Sequence, residues 1–185
     1  MNGSGIEVIV GCMFSGKTEE LIRRIHRAQY AKCPVAAFNH TLDGARYKEG
    51  SLVSHNGIEV PTHAVSNPAD IASLTHKDGA DVVAIDEGQF FHREIIQVVT
   101  RLAEDGHRVI VAGLNLDYRG EPFGPMPELM ARADDITLLT AICTCCGAEA
   151  TRSQRIIESE SQILVGSKES YTARCRQCHE PESAA

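Results

Sequence analysis

Residues 6–18 read IEVIVGCMFSGKT: a short β-branched apolar run that passes directly into G-x-x-x-x-G-K-[ST]. Every fixed position of the motif is met, by Gly11, Gly16, Lys17 and Thr18. A buried strand on one side and a helix on the other is the context in which such a loop grips phosphate. Its glycines let the backbone curl, so that successive N–H groups from Gly11, Cys12, Met13, Phe14, Ser15 and Gly16 converge on phosphate oxygens. The helix that follows adds the positive end of its dipole. Lys17 is the cation for the β- and γ-phosphates, and the Thr18 hydroxyl is a ligand for Mg²⁺. An ordinary Gly-rich turn is the competing reading, and it does not call for the Lys-Thr pair.

Working outward from this loop, the spacing predicts a helix over 17–32, with Leu21, Ile22, Ile25 and Ala28 on one face and Arg23, Arg24 and Arg27 mostly off it. Further short apolar runs stand at 34–38, 81–86, 108–113 and 136–142. They are nearly continuous, as strands covered on both faces must be. Between them, 92–106 has Ile95, Val98, Val99 and Leu102 at helical spacing with Gly106 as a C-cap, and 69–76 is a shorter helix after Pro68. Strand and helix alternate, which predicts an α/β core with a mostly parallel sheet flanked by helices.

A phosphate loop needs a second carboxylate for its metal. Asp86 closes the apolar strand VVAI, at the end where ligands bind in such sheets, and fits the Mg²⁺ role beside Thr18. Glu87 follows and fits a general base that deprotonates whatever attacks the γ-phosphate. Capping the next turn is its bland alternative. Glu87 alone does not separate a kinase from a hydrolase, since either needs its nucleophile activated.

The pattern changes near residue 142. Of seven cysteines, Cys12 and Cys33 stand alone, while Cys143, Cys145, Cys146, Cys175 and Cys178 cluster late. Cys143/Cys146 and Cys175/Cys178 form two C-x-x-C knuckles, which together complete a tetrahedral Zn²⁺ site with no open position, a structural site; redox-active or unliganded thiols are the alternative. Cys145 and His179 are spare candidates. The domains therefore read as 1–142, a nucleotide-binding α/β unit; 143–180, a zinc-binding module with a long loop; and 181–185, a flexible tail.

Net charge is −7 with an isoelectric point near 5.6, which supplies no basic footprint for nucleic acid and favours a small-molecule substrate. No run approaches the roughly 18 apolar residues of a membrane span. The N-terminal run is too short, and lacks the basic flank, for a secretory signal. A cytoplasmic protein with no membrane or nucleic-acid partner is expected.

The motifs MFSGKT (13–18), DEGQFF (86–91), AGL-x-x-DYRGEPFG (112–124) and Y-x-x-x-CRQC (171–178) occur in an order that resembles the type II, or cytosolic, thymidine kinases, over about residues 6–178. The resemblance implies a P-loop NTPase sheet of the RecA-like type with a C-terminal zinc module. It also implies transfer of the γ-phosphate of ATP-Mg to the 5′-hydroxyl of thymidine, and of deoxyuridine, giving dTMP in nucleotide salvage. Position by position it makes Glu87 the base, Thr18 and Asp86 the Mg²⁺ residues, Lys17 the phosphate lysine, and Gln89 a member of the nucleotide-binding set. Met13, Phe90, Leu114 and Tyr118 match the thymine pocket, and Ser153 stands where a threonine hydrogen-bonds the base.

Residues 162–171 look like the family's lasso, which closes over the base; they include Gln162, Ile163, Leu164, Val165, Gly166 and the lasso tyrosine, Tyr171. One of Phe90 and Phe91 is expected in the core, since neighbours point opposite ways. Arg46-Tyr47 resembles an R-Y pair in a loop after the second strand, and the stretch from Asp43 to Arg46 is one residue longer than the family's pattern. Cys12 stands where the family has proline, bringing an extra N–H and a thiol beside the phosphates. A homotetramer and feedback by dTTP are further family expectations. The alternatives are a zinc-containing ATPase that passes phosphate to water, and a non-catalytic nucleic-acid binder switched by ATP.

Overall fold

The computed structural model describes residues 3–43, 51–53, 59–157 and 170–181. In chain order these form β1 (Gly5–Gly11), α1 (Lys17–Tyr30), β2 (Val35–His40), β3 (Ser51–Val53), β4 (Glu59–Pro61), β5 (His63–Val65), α2 (Pro68–Asp78), β6 (Val82–Ile85), α3 (Ile95–Glu104), β7 (Arg108–Gly113), α4 (Met126–Arg132), β8 (Asp135–Leu139), β9 (Ala141–Ile142), β10 (Glu149–Ala150), β11 (Arg152–Arg155) and β12 (Tyr171–Arg174). Six of the strands make one sheet in the order β5-β2-β6-β7-β1-β8, and each pairing is parallel. The expected α/β architecture is the one observed.

Alternation along the strands divides the core. Val8 and Val10 of β1 with Val109 and Val111 of β7 face the layer that holds Ile71, Ile95, Val99, Leu102, Met126 and Leu129 of α2, α3 and α4. Ile9, Ile110 and Ala112 point the other way, onto Leu21, Ile22 and Ile25 of α1 and onto Leu52 and Val60 of the β3–β4 hairpin. Both faces are covered at the central strands β6, β7 and β1, which is why their interiors are almost wholly apolar. Asn67 caps α2 by accepting the Ala69 N–H at 3.0 Å, and Gly79 ends it at φ 60°.

Two features depart from the sequence reading. The apolar run at 136–142 is not a buried strand: β8 lies at the sheet edge, with Ile136 and Leu138 46% and 57% exposed. Periodicity alone does not distinguish a central strand from an edge strand of the same composition. Arg24 is not off the packed face of α1 but 8% exposed, and it bonds Glu20 (2.8 Å), Glu7 of β1 (2.6 Å) and Thr137 of β8 (2.7 Å). A guanidinium is tolerated there because carboxylates and a hydroxyl meet its N–H groups.

Parallel pairing puts the C-terminal ends of β6, β7, β1 and β8 along one edge. The Gly11–Thr18 loop leaves β1 there, Asp86 follows β6, and Leu114 follows β7. Beyond β8 the chain builds two small antiparallel pairs, β9 with β10 and β11 with β12. The expected tail beyond residue 181 lies outside the described residues.

Candidate active site

The loop between β1 and α1 has the geometry its residues require. A Cβ on Gly11 would sit 2.3 Å from the Leu139 carbonyl oxygen and 2.7 Å from Ser15 Oγ, so β8 and the loop close on each other only over glycine. Gly16, at φ 85°, is the N-cap of α1, and its carbonyl accepts the Glu20 N–H at 3.0 Å. Phe14 adopts φ 67°, a left-handed conformation uncommon for a residue with a side chain. Lys17 Nζ donates to the Cys12 carbonyl at 2.9 Å, folded over the loop it serves.

Thr18 and Asp86, far apart in the chain, meet: the threonine hydroxyl donates to Asp86 Oδ2 at 3.0 Å. The other carboxylate oxygen accepts the Glu87 N–H at 2.9 Å. Burial, then the adjacent Glu87 carboxylate, push the Asp86 carboxyl up to about 7, against the stabilising Glu87 N–H, Thr18 hydroxyl and Lys17 charge. A buried acid beside a hydroxyl is a hard-oxygen set that suits Mg²⁺. The buried Ser15 hydroxyl in the same loop has no hydrogen-bond partner among the described residues.

Glu87 is itself left-handed, at φ 53° and ψ 41°, a conformation that costs about 1–2 kcal/mol outside glycine. Its carboxylate is buried and accepts from Gln89 Nε2 at 2.5 Å, while Gln89 Oε1 accepts the Leu114 N–H at 2.9 Å. Gln89, expected among the nucleotide-binding residues, thus uses both ends of its amide to tie Glu87 to the end of β7. Of the two phenylalanines, Phe91 is buried in the core and Phe90 is half-buried, its ring 6.0 Å from Phe123 and 6.1 Å from His40. The expected division holds, although a 3-10 turn at Gly88–Phe90, not a strand, produces it.

Met13 of the phosphate loop, Tyr118 and Tyr171 form one buried apolar cluster, joined by the partly buried Phe14 and Leu114. Of the residues expected around a base, Met13, Leu114, Tyr118 and Tyr171 thus lie together, while Phe90 packs apart from them against Phe123 and His40. Ser153 Oγ accepts the Met13 N–H at 2.9 Å, so it fastens the loop to β11. Cys12 corrects another expectation. Its thiol is engaged within the protein: it donates to the Ala150 carbonyl at 3.2 Å and packs with Ala141, Cys143, Ala150, Ala173 and Cys175. Burial pushes that thiol up, which leaves it a neutral donor. Gln162, Ile163, Leu164, Val165 and Gly166, the Asp43 side chain, Arg46 and Tyr47 lie outside the described residues.

Two contributors carried no motif. Arg155 is buried with its guanidinium carbon 3.6 Å from the centre of the Tyr118 ring, and it donates to the Tyr171 hydroxyl at 2.9 Å. It stands two residues after Ser153 on β11, so strand alternation put both on one face. His179 Nε2 donates to the Tyr118 carbonyl at 2.8 Å, which engages it in the pocket wall and not at the metal.

The four expected metal cysteines do converge. The sulfurs of Cys143, Cys146, Cys175 and Cys178 all lie within 4.8 Å of one another, and those of Cys146 and Cys175 are 3.7 Å apart. Tetrahedral zinc with Zn–S near 2.3 Å spaces its sulfurs about 3.8 Å apart, so the four cysteines fit a structural zinc. Backbone N–H groups lower the Cys143 and Cys175 thiols, whereas hydrogen bonds shared among the four raise Cys146 and Cys178. Cys145 is exposed and outside the cluster.

A family model described as thymidine kinase matches residues 4–179, the family that the sequence motifs resemble. No helix among the described residues is long and apolar enough to cross a membrane.

Proposed function

We propose, from the premise that this chain belongs to the thymidine kinase family, that it moves the γ-phosphoryl group of ATP to the 5′-hydroxyl of thymidine, yielding dTMP and ADP. The family makes it a nucleoside kinase that phosphorylates thymidine. The ATP donor, acceptance of deoxyuridine and a place in nucleotide salvage are the further content of the proposal. The observation that carries it is the shared cluster of Met13, Tyr118 and Tyr171: a base held there lies against the loop that holds phosphate.

In this reading the N–H groups of residues 11–16, the dipole of α1 and Lys17 hold the triphosphate. A Mg²⁺ ion held by Thr18 and Asp86 would neutralise charge on the β- and γ-phosphate oxygens. Glu87 accepts the 5′-hydroxyl proton as that oxygen attacks phosphorus in line. Gln89 keeps the carboxylate aimed, so little reorganisation remains at the moment of reaction. Phe90, Leu114, Met13, Tyr118 and Tyr171 enclose the pyrimidine, with Ser153 as a hydroxyl partner. Gln162, Ile163, Leu164, Val165 and Gly166 would close over it as a lasso anchored by zinc on Cys143, Cys146, Cys175 and Cys178. The unit at 143–180 then acts as a lid support on the nucleotide-binding unit at 1–142. A homotetramer inhibited by dTTP completes the proposal.

The test is transfer of γ-³²P from ATP with and without thymidine. Label on thymidine, with little phosphate released in its absence, is the expected result. ATP turnover indifferent to nucleoside would replace the kinase with a hydrolase.

A further inference from the structure

Tyr118 holds a position where an aromatic ring alone would satisfy the pocket, yet it carries a hydroxyl. The residue is 3% exposed, and its phenol oxygen is buried with no hydrogen-bond partner among the described residues. Such groups are rare in folded proteins, because an unmet buried hydroxyl forfeits its hydration. The rest of the side chain is held from several directions. The ring packs with Met13 and Tyr171, the Arg155 guanidinium stacks 3.6 Å above it, and that of Arg119 lies 5.1 Å away. The backbone is fixed too: Asp117 Oδ1 accepts the N–H groups of Arg119 and Glu121 at 2.9 and 3.0 Å, and His179 holds the Tyr118 carbonyl. A phenol this firmly placed does not swing out to water to find a partner.

We infer that the Tyr118 hydroxyl is a specificity-determining donor, which gives its hydrogen bond to a carbonyl oxygen of the bound pyrimidine. The inference rests on the nucleoside-kinase reading of this site and deepens it. The neighbours decide the choice of a base oxygen over a phosphate oxygen. Tyr118 belongs to the apolar cluster of Met13 and Tyr171, whereas the groups that meet phosphate are the loop N–H groups, Lys17 and Ser15. A site that buries a donor for a base oxygen also penalises a base that lacks an acceptor there, since the donor is then left unmet.

The experiment compares wild type with Tyr118→Phe by calorimetric binding of thymidine, 2-thiothymidine and 4-thiothymidine, with thermal melting of the unliganded proteins alongside. The variant is expected to bind thymidine roughly tenfold more weakly. One of the two thio-analogues, whose sulfur accepts poorly, should bind wild type more weakly than thymidine does, and that difference should shrink in the variant, as a double-mutant cycle requires of a direct contact. The unliganded melting temperature should stay level or rise, because the variant loses an unmet polar group. Equal thymidine affinity in both proteins, or losses for both analogues that persist unchanged in the variant, overturns the inference. So does a marked fall in the unliganded melting temperature, which would reveal a partner within the protein. If wild type binds thymidine and transfers phosphate to it, these failures fall on the hydroxyl alone. If wild type binds no nucleoside, the kinase reading fails first and takes the inference with it.

Discussion

At the scale of single residues, the proposed chemistry concentrates on Glu87. Its left-handed backbone and its bond from Gln89 both fix the direction of the carboxylate. Glu87→Gln preserves size and burial but removes the proton acceptor. It should lower kcat about 10²–10⁴-fold while ADP binding, measured by calorimetry, stays near wild type. Wild-type turnover in the variant would remove Glu87 from the chemical step. Ser153 has one observed bond and one proposed role in base binding, and so two readouts. Ser153→Ala should weaken thymidine binding, and, because the Met13 N–H is left without its acceptor in a buried setting, should also lower stability by about 1–2 kcal/mol in urea unfolding. A variant that loses thymidine affinity at full stability would mean that the Met13 bond contributes nothing.

At the scale of elements, the packing of α1 on the sheet rests partly on charge. Glu7 of β1 and Glu20 of α1 share Arg24, and Glu7 also receives Arg108 from β7. Burial tends to raise the Glu7 carboxyl, but the bonds from Arg108 and Arg24 outweigh it and hold it below its ordinary 4.5. The Arg23 hydrogen bond, joined by Arg24, brings Glu20 down to about 2. Both carboxylates therefore bind protons more weakly folded than unfolded. Their contribution is complete above the unfolded value near 4.5 and is lost as pH falls below it, for Glu20 as pH nears about 2. The melting temperature should accordingly drop across that window, and Arg24→Met should flatten the drop while costing about 1–3 kcal/mol at pH 7. An unchanged acid profile in Arg24→Met would assign the acid sensitivity to other groups.

The same elements show what was readable beforehand. The phosphate loop and its flanking strand and helix were legible because all their determinants are contiguous. Burial of Arg24 was not, since its acceptors come from β1 and β8 and no local period announces them. Likewise β8 has the composition of a central strand, and only the sheet order exposes it. In the site, Glu87, Asp86 and the four cysteines were legible as motifs, whereas Arg155 and the bridging role of Gln89 depend on partners that only the fold supplies.

At the scale of the whole molecule, the cysteine cluster is wired to both halves of the site, but unequally. Toward the proposed base pocket run Arg155 on β11, Tyr171 on β12, and His179, which follows Cys178 and holds Tyr118. Toward the phosphate loop, among the described residues, run the bonds of Cys12 to Ala150 and Met13 to Ser153, and the loop is otherwise carried by β1, β8 and α1. Releasing zinc should loosen the first set much more than the second. Cys178→Ser, or chelation of the wild-type protein, should raise the KM for thymidine by tenfold or more, since each hydrogen bond broken in the pocket wall costs about 1 kcal/mol. The KM for ATP should move by a few-fold at most, through the Cys12 and Met13 attachments. Zinc content by atomic absorption and the two KM values, followed together through a chelator titration, distinguish this from a global effect. If both KM values rise in parallel with metal loss, the metal supports the sheet as a whole; if only the thymidine KM moves, the two bonds to the phosphate loop carry no coupling.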